Sequence, residues 1–381
     1  MIESDRPPKV LIAANKGHIT EIDMIKGLRQ DGVDVHAALA SDSPHLDDLR
    51  DGGVPTRTLN LKSNADLLNA LRIRRWIKEE GFDIVHGLAN RQVANFIWAS
   101  YGLPNKVIAY RGAIGHVSRW DPSCYLKWLS PRIDKIVCVS KAVERDLAAS
   151  GVRPEKLVTI YKGHDLNWYE HLDPVAARAE VNAQFDIPEH AFLVGMAANM
   201  RRVKGADLLL RAIMELPDHV HGLLIGEVRD PLIYKLIQDP RLTNRVHLAG
   251  YRQDVTKLIG ALDVNVAPSR GREGLTKTII EGMAQKIPAV VSNVGGLPEL
   301  IRDAESGYIV PKEDLPLLSE RIYELTTNRL RRTKMGETAK NDVYAHFDLA
   351  SSVARTAEMY HIFKMTNDSK TTKRRKLIRI D

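Results

Sequence analysis

Only two cysteines, Cys124 and Cys138, occur in 381 residues. That excludes a disulfide framework or a cysteine metal cluster and suits a reducing compartment. No stretch approaches the roughly 20 apolar residues of a membrane-spanning helix. The opening MIESDRPPKVLIAAN sets acids ahead of a very short apolar run, which makes a poor secretory signal. The expected setting is cytoplasmic, with at most attachment to the inner face of a membrane. Neither G-x-G-x-x-G nor a Walker A loop is present, which removes the usual dinucleotide and P-loop readings. Aromatic residues make up 6% of the chain, and no basic–aromatic cluster or zinc-finger spacing accompanies the net charge of +7. Charge alone is poor support for a nucleic-acid binder.

Charged residues at 27% and hydrophobic residues at 44% describe a globular protein long enough for two ordinary domains. The positive balance suits an anionic substrate or surface. Strand-like runs recur at 9–14, 33–39, 82–86, 106–110, 135–140 and 157–161. Helical spacing separates several of them, notably over 22–28, 65–80 and 141–149. Within 65–80, Leu68, Leu71, Trp76 and Ile77 are expected to pack a core face. After Asp173-Pro174 a second series follows at 192–198, 221–226, 245–250, 263–267, 288–292 and 308–310. Alternating strand and helix predicts an α/β chain of doubly wound parallel sheets. Two such series without a low-complexity linker suggest two Rossmann-like halves.

The most informative stretch runs from Asp263 to Leu300. A buried-strand run, Val264 to Ala267, meets the turn Pro268-Ser269-Arg270-Gly271-Arg272. Glu273-Gly274 then lead into Leu275, Ile279, Ile280 and Met283, which recur at helical spacing. A second strand and the pair Gly295-Gly296 follow. In such a βαβ unit, free N–H groups near Gly274, Leu275, Thr276 and Lys277 form an anion site at a helix N-terminus. Glu273 suits sugar hydroxyls beside a phosphate. If both positions were helical, Glu273 and Glu281 would lie roughly 80° apart on one face.

Glu273-x7-Glu281 inside S-R-G-R-E-G-L-x5-E-G-M-A, followed by G-G-x-P-E-L-I, resembles the signature of retaining glycosyltransferases of family 4. The resemblance implies the GT-B fold: two Rossmann-like doubly wound domains facing a central cleft. It implies an acceptor-binding domain over 1–172 and a nucleotide-sugar domain over 173–348. A helix over 349–367 would cross back to the first domain, ahead of a basic tail over 368–381. In such enzymes the first Glu meets hydroxyls of the donor sugar and the second binds the ribose. Lys204-Gly205 matches a loop that clamps the donor diphosphate, with Arg201 standing in for an Arg usually farther upstream. Cations there neutralise charge as the glycosidic bond breaks. Tyr251 and Arg252 follow a strand-end turn that meets the nucleobase, and Gly17 matches a glycine of the first loop. His18 beside it reads as an exposed loop residue. Many members carry a histidine straight after the strand at 106–110. Here Arg111 stands in that place and His116 lies five residues on, so either could serve.

The reaction this implies is retaining transfer from a nucleoside diphosphate sugar, uridine favoured, to a glycan or lipid-linked acceptor in cell-envelope polysaccharide or lipopolysaccharide synthesis. No D-x-D occurs, so no metal and no cofactor is expected. Arg119-Trp120, the run Tyr125 to Leu129 and the basic tail could rest on anionic lipid. The alternatives are another GT-B-like enzyme, an epimerase or a phosphorylase, and then a nucleic-acid binder without catalysis.

Overall fold

The computed structural model describes the backbone of residues 6–377 and the side chains of residues 6–365. The cations expected to form the basic tail, Lys370 to Arg379, lie outside the described side chains. The chain divides into two compact units, residues 1–165 with 348–381, and residues 166–347.

The first unit is a seven-stranded parallel sheet. Its strands are β1 (Lys9–Ala13), β2 (Asp34–Leu39), β3 (Thr56–Thr58), β4 (Ile84–Gly87), β5 (Lys106–Arg111), β6 (Lys135–Cys138) and β7 (Leu157–Thr159), in the order β3-β2-β1-β4-β5-β6-β7. Val10 pairs with Val35 on one side and Ile84 on the other, which is why β1 reads as an unbroken apolar run. β3 has no counterpart among the strand-like runs of the sequence. It is a three-residue edge strand, Thr-Arg-Thr, with no apolar signal to find.

On one face the helix Ile19–Gln30 and the final helix, Leu349–Leu377, pack over the sheet. Val353, Ala357 and Tyr360 of the final helix join Ile22, Ile25 and Ile84 in one core cluster. Tyr360 is fully buried, and its hydroxyl meets His86 Nδ1 at 2.6 Å. Burial pushes the His86 imidazole down to about 3, so this bond joins neutral partners.

The second unit is a six-stranded parallel sheet built from β8 (Phe192–Ala197), β9 (Val220–Ile225), β10 (Val246–Gly250), β11 (Val264–Ala267), β12 (Ala289–Ser292) and β13 (Gly307–Val310). Its order is β10-β9-β8-β11-β12-β13. Apolar clusters cover both faces, one around Leu209, Ile213 and Ile322, the other around Leu193, Leu258 and Ile259.

In each sheet the strand order reverses once, between β1 and β4 and between β8 and β11. Ligands of doubly wound sheets sit outside the carboxyl ends of the strands at that reversal. In the second unit the loops leaving β8 and β11 carry Lys204 and Glu273.

Candidate active site

The helix after β11 spans Lys277–Ala284. It begins later than the apolar spacing suggests, and Glu273, Gly274, Leu275 and Thr276 all precede it. The expected 80° relation between the two glutamates therefore does not hold. Arg272 has φ 62° and Thr276 is extended, so the chain stays non-helical until Lys277. Two side chains fix where the helix starts. Buried Asn265 of β11 donates from Nδ2 to Thr278 O at 2.8 Å, and Thr278 Oγ1 donates to Ala197 O, at the end of β8, at 3.1 Å. The helix N-terminus is thereby pinned over the reversal.

Glu273 is buried with a full set of partners. Lys204 Nζ donates to Oε1 at 2.7 Å and to Oε2 at 3.0 Å. Ser269 Oγ donates to Oε1 at 2.6 Å and Thr276 Oγ1 to Oε2 at 3.1 Å. Its backbone carbonyl accepts from Gly296 N at 3.1 Å. A Cβ on Gly295 (φ 57°) would stand 2.1 Å from that carbonyl, so glycine at 295 is a steric requirement of the glutamate's seat.

Glu281, in the helix itself, is 3% exposed. Its Oε1 pairs with Lys277 Nζ at 2.9 Å, one helical turn away. No described residue hydrogen-bonds Oε2. Burial, partly offset by Lys277, holds this carboxyl above its ordinary range. An unpartnered carboxylate oxygen in the interior costs on the order of 1–3 kcal/mol or more. A hydroxyl donor would remove that cost.

The loop bearing Lys204 is fastened from below. Arg270 donates from Nη1 and Nη2 to Asp207 at 2.6 and 2.8 Å, and from Nη1 to Arg202 O at 2.9 Å. Arg270 N also donates to Val203 O at 2.8 Å. Burial opposes ionisation of Asp207, yet the Arg270 hydrogen bonds carry its carboxyl below the usual range. This bidentate pair sets the turn Arg202–Lys204 against the loop that holds Glu273.

Residues 22–168 match the family profile described as Glycosyltransferase Family 4, and residues 191–328 match Glycosyl transferases group 1. The chain belongs to glycosyltransferase family 4. This transferase is 24% identical over 337 residues to the UDP-Gal:alpha-D-GlcNAc-diphosphoundecaprenol alpha-1,3-galactosyltransferase of Escherichia coli, covering 83% of this chain and 85% of that one. It is 29% identical over 248 residues to the lipopolysaccharide core biosynthesis mannosyltransferase LpcC of Rhizobium leguminosarum bv. viciae, covering 63% and 67% of the two chains. A glycosyltransferase structure from Rickettsia africae ESF-5 superposes with a TM-score of 0.81 at 22% identity, over 94% of this chain and 98% of that one. The two α/β units are those of the GT-B fold.

Lys204, Glu273, Gly274, Leu275 and Thr276 of the transferase come together around the loop–helix junction, with Glu281 one turn into the helix. Arg201, in the same loop as Lys204, is exposed, and its guanidinium bonds no described residue. Tyr251 follows β10 and is 79% exposed, while Arg252 is engaged with Asp254 at 2.7 Å.

Gly17, Arg111 and His116 belong to the first unit. Gly17 (φ 79°) turns the chain after β1. His18 caps the following helix, accepting from Thr20 N while its own N–H donates to Glu21 Oε2 at 3.2 Å. Arg111, at the end of β5, is buried with its guanidinium 4.7 Å from the Trp128 ring centroid, and it donates to Gly115 O. It shapes the loop that presents His116, itself exposed at φ 62°.

Ser269, Asp207 and Arg270 also belong to the site, through their bonds to Glu273 and to the Lys204 loop. Only the S-R-G-R-E-G context pointed at the first and last, and the partner Asp207 lies 63 residues upstream of Arg270.

Proposed function

We propose that this glycosyltransferase moves a sugar, with retention of anomeric configuration, from a nucleoside diphosphate sugar to a lipid-linked glycan acceptor of the cell envelope. The observation that carries the reading is the pair of buried glutamates on either side of a helix N-terminus: one already gripped by Lys204, the other with an open oxygen. Glu281 Oε2 accepts a ribose hydroxyl. The diphosphate lies against the N–H groups of Gly274 to Thr276 and draws the Lys204 ammonium toward itself, helped by Arg201. Release of Lys204 frees Glu273 to accept hydroxyls of the donor sugar. Tyr251 and Arg252 border the base. Gly17 and His116, with Arg111 behind it, serve the acceptor side.

The acceptor oxygen bonds the anomeric carbon on the face the diphosphate leaves. The C–O bond breaks with its electron pair going to the phosphate, and a leaving phosphate oxygen takes the acceptor's proton. Lys204 and the helix N-terminus stabilise the charge that builds there. Neither glutamate acts as nucleophile or general base. A uridine diphosphate donor and a diphospholipid acceptor are favoured by the name of the Escherichia coli relative.

Transfer from a UDP-sugar in excess chelator, read by NMR of the product anomer, tests this directly. The expected product keeps the donor's anomeric configuration at an undiminished rate. Inversion, or loss of activity that Mn²⁺ restores, would refute it.

Contact with an anionic membrane belongs to the same reading. Trp120, 87% exposed, with Tyr125 and Leu126 could reach lipid. Trp128 of that segment could not, because it is buried beneath Arg111.

A further inference from the structure

The helix Leu67–Glu80 carries two apolar stripes. Ala70, Ile73, Trp76 and Ile77 are buried and fall within roughly 120° of one another at about 100° per residue. Leu67, Leu71 and Leu68 occupy a separate sector roughly 100° wide and are 69%, 55% and 82% exposed. The expectation that Leu68 and Leu71 pack the core is therefore overturned. The core takes the stripe containing Trp76 and leaves the leucines in solvent.

The leucine sector continues along the helix as a basic one. Arg72, Arg75 and Lys78 project within the same roughly 140° and are exposed. Glu79 is the only acid there, and it is paired with Arg75 at 2.7 Å. Arg72 lies with its guanidinium 4.9 Å from the Trp76 ring centroid, which holds it along the helix surface. Asp66, at the helix start, is occupied as the N-cap, accepting from Asn69 N at 3.3 Å. One outward face thus has three leucines over its first two turns and a net positive charge behind them.

We propose that this face docks the first unit onto an anionic lipid bilayer. Three adjacent leucines left in water gain by burial among acyl chains, and the cations complement lipid phosphates. The leading turns dip past the headgroups while Arg72, Arg75 and Lys78 remain among the phosphates. A bilayer is also where the lipid-linked acceptor resides, so the purpose of the docking rests on the function proposed above.

The full chain, its L68E/L71E variant, its L68I/L71I variant and a W120A/Y125A/L126A variant are floated with vesicles. One set contains phosphatidylglycerol and the other phosphatidylcholine alone. The wild type and L68I/L71I are expected to float with the anionic set at low salt. L68E/L71E loses at least about tenfold in partition while its rate on a soluble or detergent-dispersed acceptor stays unchanged. The inference falls if L68E/L71E floats like the wild type, if only the Trp120 variant loses binding, or if the wild type ignores anionic vesicles. It falls too if sizing shows that L68E/L71E disrupts a dimer while flotation is untouched. None of these failures alters transfer in detergent, which reports on the enzymatic reading alone.

Discussion

Replacing Lys204 with methionine is expected to lower kcat by about 10²- to 10³-fold, the usual cost of removing one group that meets charge developing in a transition state. Stability falls in the same variant for a separate reason. The Glu273 side chain is 6% exposed and that of Lys204 24%, so loss of the ammonium leaves a carboxylate inside the protein with only Ser269 and Thr276 as side-chain donors among the described residues. Breaking a buried pair in this way costs about 3–5 kcal/mol. Partial exposure of the lysine places this case near the lower end. The double variant K204M/E273Q separates the two effects. A neutral glutamine accepts from one hydroxyl through Oε1 and donates through Nε2 to the other, whose oxygen can accept, so urea unfolding should recover part of the lost stability while turnover stays low. If K204M unfolds like the wild type and turns over at the wild-type rate, the pair is incidental.

A comparable loss is expected from Gly205→Ala, through the backbone. Gly205 sits at φ 74°, and a Cβ there would stand 2.0 Å from Pro268 O. The left-handed conformation alone costs a non-glycine residue about 1–2 kcal/mol. The contact adds to this because the obstacle is a carbonyl held in place: Arg270 N bonds Val203 O, and the Arg270 guanidinium bonds Arg202 O and Asp207. A total of about 2–4 kcal/mol is expected, together with weaker nucleotide binding as Lys204 is displaced. Gly81 is the control. It has φ 67° with nothing within 4 Å, so Gly81→Ala should cost only the conformational part and leave nucleotide affinity unchanged. Equal losses in the two variants would show that the approach of the two loops carries no weight.

Most of the sheet was legible because parallel strands buried on both faces read as apolar runs. The polar edge strand β3 offers no such run. The family signature located the two glutamates, but their setting had to come from tertiary structure. Leu275 and Ile279 fall at helical spacing although only the second is in the helix, since periodicity does not register where Asn265 and Thr278 anchor the first turn. The partners of Glu273 arrive from separate loops, and nothing local marks Ser269 or Thr276 as a hydroxyl aimed at a carboxylate. His18 was readable in principle, because His18-x-x-Glu21 has the spacing of a reciprocal helix cap. The helix Leu67–Glu80 shows the opposite limit. Two apolar stripes on one helix satisfy the same periodicity, and the sequence does not say which one the sheet will take.

Glu281 Oε2 is buried without a described hydrogen-bond partner, and under the function proposed above it accepts a hydroxyl of the nucleotide's sugar. Calorimetric titration of UDP and of its 2′,3′-dideoxy analogue into the wild type and into Glu281→Gln tests it most directly. A hydrogen bond to a charged group is worth about 1.5–3 kcal/mol, so the wild type should bind UDP at least about tenfold more tightly than the dideoxy compound. The glutamine variant should bind the two nearly alike. Equal binding of both nucleotides by the wild type, or full discrimination retained by the variant, would contradict the account.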